Sequence, residues 1–492
     1  MNGVAQDDWG RISPSVYETA RVHQWAPHLP DDAVRADWLL SRQGPDGLWG
    51  EGPLPYRTLP SLSVVAAFLD RLVHHRDTLT PDTALRLTRA VDRGLAALAA
   101  LPGDGPHPDT AAIELLVPLL MASINRMLGT TGRPTGPRLG VIHGLRADAA
   151  GHIARRIADM PSLRTKFHHC FEVLAPLCPP RLLPAPSGLL GGSPAATAAW
   201  LATTPADADR DAAAEALRAV SRHYRGRFPE TAPLAAFERL WVLAALHHAG
   251  LLTGARDVAR KWLAALVEPC GVRGAPGLDP DADDTAIAVH LAVELGGHHG
   301  PDLLAPFHTG DNYSCYVDED TASVTTNAHV LIALTTCLPR HPEQADNATR
   351  LARWLVERQH PEGWWTDKWH ASPLYATSRV TRALARSADP VAVAAVRRAA
   401  AWATSAQQPD GSWGVWGPTA EETAYGAQIL LNARQPRAEA LDRANSYLLD
   451  RTGDGAHDHP PRWHDKTLYA PAAVIVAELT ATAHLLAARH RG

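Results

Sequence analysis

Three aspartates stand within four positions, at Asp281, Asp283 and Asp284, and the chain turns apolar soon after them at Ile287. Carboxylates held this close repel one another, so at least one is expected to keep its proton near neutral pH. A neutral carboxylic acid can donate that proton, and if the acceptor is a carbon–carbon double bond, a carbocation forms and a cyclisation can follow. The same residues would also suit the N-terminus of a helix, where carboxylates commonly act as caps.

Composition sets bounds on the class of protein. The chain has 492 residues, is 46% hydrophobic and has a formal net charge of -5 without a long basic run, so no nucleic-acid partner is indicated. Its five cysteines are scattered without Cys-x-x-Cys spacing, which argues against a disulfide framework or zinc cluster and is typical of a reducing cytoplasm. We find no apolar signal segment and no run of about 18 apolar residues, so we expect a cytoplasmic protein without a transmembrane segment.

Apolar residues at three- and four-residue spacing predict helices in most of the chain. The clearest segments are 212–220, 234–249, 285–295, 329–336 and 391–403. Stretches rich in Pro and Gly separate the segments, and strand-like alternation is scarce. We therefore predict an all-α fold with about a dozen or more helices.

One pattern, Gln-x-x-Asp/Glu-Gly-x-Trp, occurs at 43–49, 359–365 and 407–413. Its glycine permits a tight backbone reversal, its tryptophan can bury a large ring, and its glutamine can bond a neighbouring helix end. We interpret the pattern as a structural staple between the helices of a barrel. Since one copy lies near the N-terminus and two lie in the C-terminal half, two helical barrels are expected, with a boundary near 229–233.

Several segments, in order along the chain, resemble the bacterial class II diterpene cyclases, the family of copalyl and halimadienyl diphosphate synthases. They are the Asp-x-Asp-Asp signature at 281–284 with the Thr-Ala that follows it, and the segments 13–20, 326–331, 367–375, 419–425 and 466–469. The resemblance runs nearly end to end. It departs at 54–60, where relatives often have Asp-Arg-Leu.

The resemblance implies two α-barrel domains, called β and γ, with the active site between them. Residues 1–20 would be the first helix of the β domain, 21–232 the inserted γ domain, and 233–492 the β domain with the Asp-rich motif. The implied reaction is a protonation-initiated cyclisation of geranylgeranyl diphosphate to a bicyclic diphosphate of labdane or halimane type.

The resemblance also implies roles for the acidic residues. Asp283 would donate the proton, and Asp281 and Asp284 would raise its proton affinity or hold its geometry. Asn327 would bond this acid and orient the transferable proton, although it could equally be the N-cap of a helix.

Aromatic side chains would protect and stabilise the carbocation, by roughly 0.5–2 kcal/mol each. The candidates are Trp365, Trp369 and Tyr375, for which ordinary core packing is the alternative. His370 is a further candidate near the cavity, although a core histidine with satisfied hydrogen bonds is the simpler interpretation. No residue is identified as the base that ends the reaction.

Cations are expected to bind the diphosphate of the substrate. Lys368 is the first candidate, Lys466 the second and Arg379 a weaker third, with a solvated surface position as the alternative for the lysines. Mg²⁺ would bridge phosphate oxygens to carboxylates. Glu114 is a candidate metal ligand because it stands within an apolar run, although it could be a helix-surface carboxylate.

Class I terpene synthases ionise the diphosphate with an Asp-Asp-x-x-Asp cluster, which 31–35 does not match. The diphosphate is therefore expected to stay on the product, which would pass to a downstream class I terpene synthase. The sequence is also compatible with a homodimer.

Three alternative functions remain: a farnesyl diphosphate cyclase that makes a drimane-type diphosphate, a squalene–hopene type cyclase, and a non-catalytic helical toroid that binds a partner. Three repeat copies in a chain of this length argue against the second.

Overall fold

Helices make up most of the protein, for which a computed structural model describes residues 7–130, 137–160, 162–177, 182–205, 208–297, 299–317, 319, 321–434, 437–452 and 459–489. The α-helices are Val16–Trp25, Asp32–Ser41, Leu54–His74, Pro81–Ala99, Ile113–Thr130, Ala149–Ala158, Phe171–Leu174, Pro194–Thr203, Ala208–His223, Ala235–His248, Arg256–Leu266, Ala282–Glu294, Val324–Cys337, Ala345–Glu357, Pro373–Leu384, Pro390–Ser405, Ala420–Leu431, Ala438–Thr452 and Ala472–Arg489. Short 3-10 helices are Arg76–Thr78, Thr165–Cys170, Leu190–Gly192, Pro301–Phe307 and Pro342–Gln344. The predicted all-α fold is confirmed.

Strands are minor in the described residues. Val141–Ile142 pairs antiparallel with Leu145–Arg146, and Trp463–His464 pairs antiparallel with Leu468–Tyr469. The second hairpin matters more for function, because it brings the segment between its strands to the junction of the two halves of the molecule.

Local side chains define where several helices begin. Ser15, Ser193, Ser323 and Thr419 are N-cap residues whose hydroxyl groups each accept a hydrogen bond from a backbone N–H of the first turn. Asp281 does the same for Ala282–Glu294. Because such bonds join residues three apart, the chain can specify these helix starts without help from distant elements.

Buried apolar side chains form two large cores. The N-terminal core collects residues between 17 and 232, and the C-terminal core collects Ile12 and residues between 234 and 486. The chain passes from one to the other between Ala232 and Leu234, inside the stretch where we expected a boundary. The limits of the two domains stay a prediction.

The first helix packs differently from our expectation. Val16–Trp25 buries Tyr17 and Ala20 in the N-terminal core, whereas only Ile12, just before this helix, joins the C-terminal core. The helix also lies against Leu54–His74. The apolar side chains of this helix are therefore covered by the N-terminal half, while the assignment of residues 1–20 to the C-terminal barrel stays a prediction.

The Gln-to-Trp repeat joins helices as predicted. Each glutamine amide donates to a carbonyl of a neighbouring helix, in the pairs Gln43–Ala90 at 3.0 Å, Gln359–Ala395 at 2.9 Å and Gln407–Ala440 at 2.8 Å. Each indole N–H donates to a carbonyl ten residues back, in the pairs Trp49–Leu39, Trp365–Leu355 and Trp413–Ala403. The repeat glycines have φ of 90°, 111° and 89°, a region that side-chain-bearing residues rarely adopt.

Two helices are long and apolar enough to cross a membrane by length and composition alone. They are Ile113–Thr130 and Ala472–Arg489, which are 56% and 50% buried within the fold. A mostly buried core helix passes the same test, so this is weak evidence for a span. Our expectation of no transmembrane segment stays a prediction.

Candidate active site

The helix Ala282–Glu294, here called the acid helix, presents the aspartate cluster at its N-terminus. Asp281 is the N-cap, and its Oδ1 accepts a hydrogen bond from the backbone N–H of Asp284 at 2.7 Å. The side chains are nearly covered, since Asp281, Asp283 and Asp284 are 5%, 7% and 3% exposed. Both interpretations of the motif therefore hold at once: the cluster caps a helix, and it is a set of crowded, buried carboxyl groups.

Two members of the cluster hold a proton strongly. Burial raises the pKa of Asp281 to about 7, and the charge of Asp283 acts in the same direction. Burial, followed by the charge of Asp281, raises the pKa of Asp284 well above its usual value. Asp284 Oδ1 is also buried without a hydrogen-bond partner. The cluster therefore carries a proton near neutral pH.

Asp283 is held from a second helix. Its Oδ1 lies 2.5 Å from Nδ1 of His329, on the helix Val324–Cys337, here called the facing helix. The indole ring of Trp241 stands edge-on to His329, with ring centroids 5.7 Å apart. Because Oδ1 of Asp283 is engaged by the imidazole, Oδ2 is the atom that can carry a transferable proton.

Asn327 does not meet the acid, so that prediction is wrong. Its Nδ2 donates to the carbonyls of Tyr313 and Ser323, at 2.8 and 2.7 Å, and its Oδ1 accepts from Tyr313 N at 2.8 Å. Two residues on a helix differ by about 200° in direction, so Asn327 and His329 face opposite sides. Asn327 instead holds the loop before the facing helix, and His329, two positions later in the same segment, was missed.

A cavity opens above the acid helix, between the two cores, and the space in it that is open to the centre of a water molecule is about 210 Å³. Asp281, Asp283 and Asp284 line it together with Gly274. A Cβ at Gly274 would lie 2.8 Å from Asp284 Oδ2, so the glycine leaves room for this carboxyl group. A concave, mostly apolar site with a few polar groups is the usual form of a small-molecule site.

Aromatic rings form much of the cavity wall. The predicted Trp369 and Tyr375 line it, and so do five aromatic residues that we did not select: Phe237, Trp241, Tyr316, Trp463 and Tyr469. The rings of Phe237 and Trp241 are 4.3 Å apart, and those of Tyr375 and Trp463 are 4.8 Å apart. Such faces stabilise a nearby cation. The missed aromatics gave no separate sequence signal, because Trp241 fits an ordinary apolar helix pattern.

Two predicted contact residues lie outside the cavity lining. Trp365 is 1% exposed, and its indole N–H donates to Leu355 O at 2.7 Å, so it is a repeat staple. The buried ring of His370 stacks on Tyr375 with centroids 4.7 Å apart, and its Nδ1 accepts from Ser372 N. Direct substrate contact was therefore the wrong prediction for both residues, and His370 supports Tyr375 from behind.

All three predicted diphosphate cations pair with carboxylates of this chain, and two of them, Lys466 and Arg379, are also almost fully buried. Lys466 is fully buried, with Nζ at 2.6 Å from Glu18 and 3.1 Å from Glu172. Arg379 pairs with Glu478 at 2.8 Å. Both cations therefore bind carboxylates of this chain, and neither lines the cavity, so the structure does not support the predicted contact with substrate. Sequence spacing could not show this, because the partners lie far away along the chain.

Lys368 and Lys166 remain near the cavity. The ammonium group of Lys368 pairs with Glu319 and lies 5.2 Å from the ring centroid of Trp369 in the cavity wall. Lys166 also lines the cavity and is exposed, and it was missed because it stands outside every segment that carried the family resemblance. These lysines supply positive charge at the place where an anionic group would enter.

The predicted metal ligand lies on the surface. Glu114 has a side chain that is 68% exposed and lies 3.9 Å from His107 Nε2. Burial raises the pKa of nearby Asp109; Lys368 opposes the rise, and Glu114 and Asp367 add to it. Among the described residues, no group of three or more His, Cys, Asp or Glu side chains could hold a metal ion.

The cavity wall contains an ion pair between His169 of the N-terminal half and Asp465 of the C-terminal half. His169 donates from Nδ1 to Gly191 O at 2.8 Å, and its Nε2 lies 3.0 Å from Asp465 Oδ1. Burial acts to lower the pKa of His169, but the charge of Asp465 raises it, and the net shift is upward. In turn, His169 helps to hold the pKa of Asp465 below its usual value. Thr231 also donates to Asp465, at 2.7 Å. An ionised carboxylate therefore faces the cavity.

Fold and site together define a class II terpene cyclase: two helical cores, and between them a buried acid in an aromatic cavity. A family model described as the squalene-hopene cyclase C-terminal domain matches residues 306–467. The labda-7,13-dienyl diphosphate synthase of Streptomyces clavuligerus is 51% identical over 98% of this chain and 91% of its own length. The copalyl diphosphate synthase of Streptomyces anulatus is 49% identical over 99% and 91%.

A solved structure agrees with these relatives. The ent-copalyl diphosphate synthase of Streptomyces platensis superposes with a TM-score of 0.87 at 36% identity, over 99% of this chain and 98% of that one. The chain belongs to the family of bacterial class II diterpene cyclases that includes the copalyl diphosphate synthases.

Proposed function

We propose that this chain cyclises geranylgeranyl diphosphate to a bicyclic diterpenyl diphosphate, with Asp283 as the proton donor and the diphosphate retained. The observation that carries the proposal is the carboxyl group of Asp283, held by His329 beside an aromatic-lined cavity. The names of the relatives support the choice of substrate and product class, because they are synthases of labdadienyl and copalyl diphosphates.

The reaction starts when the polyene folds against the acid. The proton on Oδ2 of Asp283 passes to the terminal double bond, a C–H bond forms, and the neighbouring carbon becomes cationic. Successive double bonds then attack the cationic carbon and close the two rings. The walls formed by Trp241, Trp369 and Tyr375 exclude water and present ring faces to the cation.

Loss of a proton ends the reaction, and Asp465 is our candidate acceptor. A proton on the carbon beside a carbocation is extremely acidic, so even a weakly basic carboxylate can remove it. His169 and Thr231 hold Asp465 ionised and oriented at the cavity wall. The sequence did not single out Asp465, although it directly precedes Lys466 in a segment that carried the family resemblance.

The diphosphate group would lie toward Lys368 and the mouth lysine Lys166. Mg²⁺ would enter on the diphosphate, because it retains several waters and needs only one or two protein carboxylates. Asp109 and Glu114 fit this limited role, since their mutual repulsion marks an excess of negative charge. The metal would supply charge neutralisation for the diphosphate.

The remaining parts of the proposal concern the cell. The enzyme would act in the cytoplasm on a prenyl diphosphate, without nucleic acid, and a class I terpene synthase would consume its product because the diphosphate leaving group is still present. A homodimer remains one possible assembly. Scattered cysteines support a reducing compartment: Cys170, Cys270, Cys315 and Cys337 are unpaired, and Cys178 lies outside the described residues.

Product analysis tests this proposal directly. The purified chain would be incubated with geranylgeranyl or farnesyl diphosphate, and the dephosphorylated products identified by mass spectrometry. We expect a bicyclic C20 alcohol, whereas a drimane-type C15 alcohol as main product would favour the farnesyl cyclase. If neither substrate is converted, the helical toroid without catalysis becomes the better interpretation.

A further inference from the structure

Behind the aromatic wall of the catalytic cavity lies a buried carboxyl group that the proposed mechanism does not use. It belongs to Glu421, in the first turn of the helix Ala420–Leu431, and the residue is 3% exposed. Glu421 does not line the cavity, whereas Tyr375 and Trp463 do. Any role for it in catalysis rests on the proposed function, because that reaction is what creates a carbocation in the cavity.

Donors on three aromatic side chains converge on one oxygen of this carboxyl group. Oε1 of Glu421 accepts from the indole N–H of Trp463 at 2.8 Å and from the hydroxyl of Tyr425 at 3.0 Å. Nε2 of His370 lies 3.5 Å from the same oxygen. Because Nδ1 of His370 accepts from Ser372 N, the proton of this ring is on Nε2, beside Glu421. Such a ring of donors suits an ionised carboxylate.

The neighbouring carboxylate, Glu422, has different partners. Its Oε2 accepts from the hydroxyl of Thr419 at 3.0 Å, and its backbone N–H donates to the same hydroxyl, so the two residues form a capping box. Arg462 lies 3.4 Å from this Oε2. In the part of the chain that the structure describes, no lysine or arginine pairs with Glu421. Of these two adjacent carboxylates, only Glu422 is therefore neutralised by a cation.

The wall in front of Glu421 extends from the proton donor to the proposed proton acceptor. Burial, then the charge of Asp283, raises the pKa of Tyr375 well above its usual value, so this ring lies near the acid. The rings of Tyr375 and Trp463 are 4.8 Å apart, and Trp463 stands two residues before Asp465. Between protonation and proton loss, the carbocation therefore faces a wall with Glu421 behind it.

One guanidinium group also lies near these rings. Arg379 lies 5.4 Å from the ring centroid of Tyr375 and 5.3 Å from that of Tyr425. Glu478 binds this guanidinium at 2.8 Å, so the pair adds little net charge. The carboxylate of Glu421 is therefore the charge beside the wall that has no partner of opposite sign.

A hydrogen bond from a ring N–H or O–H to an anion makes the ring more electron-rich and strengthens its attraction for a cation. The anion itself attracts the cation more strongly in a low-dielectric interior than in water. We propose that Glu421 stabilises the carbocation from behind the wall, through Trp463 and through His370, whose ring stacks on Tyr375 with centroids 4.7 Å apart. Glu421 is thus a positioning residue that acts only when positive charge develops.

Substitution of the charge alone tests this role. Glu421→Gln keeps the size of the side chain and an oxygen that can accept from Trp463 and Tyr425. With geranylgeranyl diphosphate, kcat should fall by about tenfold while KM stays unchanged, because the bound substrate is still neutral at its reacting end. The less stabilised cation should also lose a proton before the second ring closes. Monocyclic alcohols should therefore increase among the dephosphorylated products.

A binding measurement isolates the charge without turnover. One analogue of geranylgeranyl diphosphate would have a protonated amine in place of the first cationic carbon. By isothermal titration calorimetry, it should bind Glu421→Gln about tenfold more weakly than the unaltered chain. A second analogue, whose terminal double bond is reduced, has no cation at this position and should bind both chains equally. A purely structural role would weaken the binding of both analogues alike.

Glu422→Gln is the matched control, because it changes the adjacent carboxylate, which has Arg462 as its partner. It should lower the free energy of unfolding and leave kcat, the products and the ratio of the two analogue affinities unchanged. His370→Phe keeps a ring against Tyr375 but removes the N–H beside Glu421, so it should weaken binding of the cationic analogue by a smaller factor.

The proposal is overturned if Glu421→Gln binds the cationic analogue as tightly as the unaltered chain, or binds both analogues equally weakly. Should Glu421→Gln fail to fold, undiminished affinity of His370→Phe for the cationic analogue overturns it. Absence of turnover of geranylgeranyl diphosphate by the unaltered chain would instead refute the proposed function.

Discussion

Two regions of this molecule bury carboxyl groups among other carboxyl groups, with opposite outcomes. In the acid cluster, burial raises the pKa of Asp281 to about 7. At the junction of the two cores, the side chain of Asp465 is also largely covered, with 18% exposed, yet its pKa lies below the usual value because His169 is in contact with it and Lys466 lies nearby. Burial acts to raise the pKa of both aspartates, so the presence or absence of a neighbouring cation decides whether the net pKa shift is downward or upward.

The same contrast appears in the partners of the two regions. No ion pair in the described residues joins a lysine or arginine to Asp281 or Asp284. At the junction, Lys466 bonds both Glu18 and Glu172 and thereby ties the C-terminal hairpin to the N-terminal half. Burial among other carboxyl groups therefore keeps a carboxyl group protonated only where no cation lies beside it.

The largest effect is expected at the donor itself. Asp283→Asn removes the transferable proton, and kcat for geranylgeranyl diphosphate should fall by about 10⁴-fold, the upper range for a general acid. Circular dichroism should show an unchanged fold. Asp302→Asn, at an exposed aspartate, is the control and should keep full activity. If Asp283→Asn keeps turnover while Asp284→Asn loses it, the donor has been placed on the wrong carboxyl group.

At the junction of the two cores, removing the cation Lys466 should lower the stability of the folded protein. Lys466→Met leaves Glu18 and Glu172 buried without their cation, and the free energy of unfolding in urea should fall by about 3–5 kcal/mol. Lys166→Met, at the exposed mouth, should leave stability unchanged and raise KM. Equal stability of Lys466→Met and the unaltered chain would contradict this account of the junction.

The acid cluster should make stability fall as pH rises. The folded pKa of Asp281 lies above its unfolded value, so the folded state binds more protons between pH about 4 and about 7. This residue then contributes a loss of up to about 4 kcal/mol across that window. Urea unfolding at several pH values should show a flatter profile for Asp281→Asn. A steeper decline in the variant would refute the raised pKa.

The smallest effects should distinguish cation stabilisation from core packing. The indole N–H of Trp369 is buried without a hydrogen-bond partner, so Trp369→Phe should leave the unfolding free energy nearly unchanged and slow turnover by about fivefold. Trp365→Phe loses the bond to Leu355 and should cost about 1 kcal/mol of stability with normal turnover. If Trp369→Phe instead lowered stability and Trp365→Phe slowed turnover, Trp365 would be the residue that stabilises the cation and Trp369 the packing residue.

Sequence patterns predicted much of the architecture. Apolar spacing indicated the helices, and the repeat indicated staples such as Gln359 with Trp365, whose bonds to Gly363 and Leu355 span only 4 and 10 residues of chain. The segments 326–331 and 466–469 were recognised as important, but the residues selected in them, Asn327 and Lys466, do not line the cavity. Asn327 was selected in place of His329, and Lys466 in place of Asp465, since resemblance marks a segment more reliably than the direction of each side chain.

Adjacency along the chain determined what the sequence alone could specify: three aspartates at the start of a helix must crowd together, since a helix turn brings them close. Contacts between distant segments were decided only by the tertiary structure. Asp283 meets His329 across 46 residues, and Lys466 meets Glu18 across 448. Like charges that are adjacent in sequence stay close in every conformation and therefore always repel. Which cation neutralises a buried carboxylate depends instead on how the helices pack.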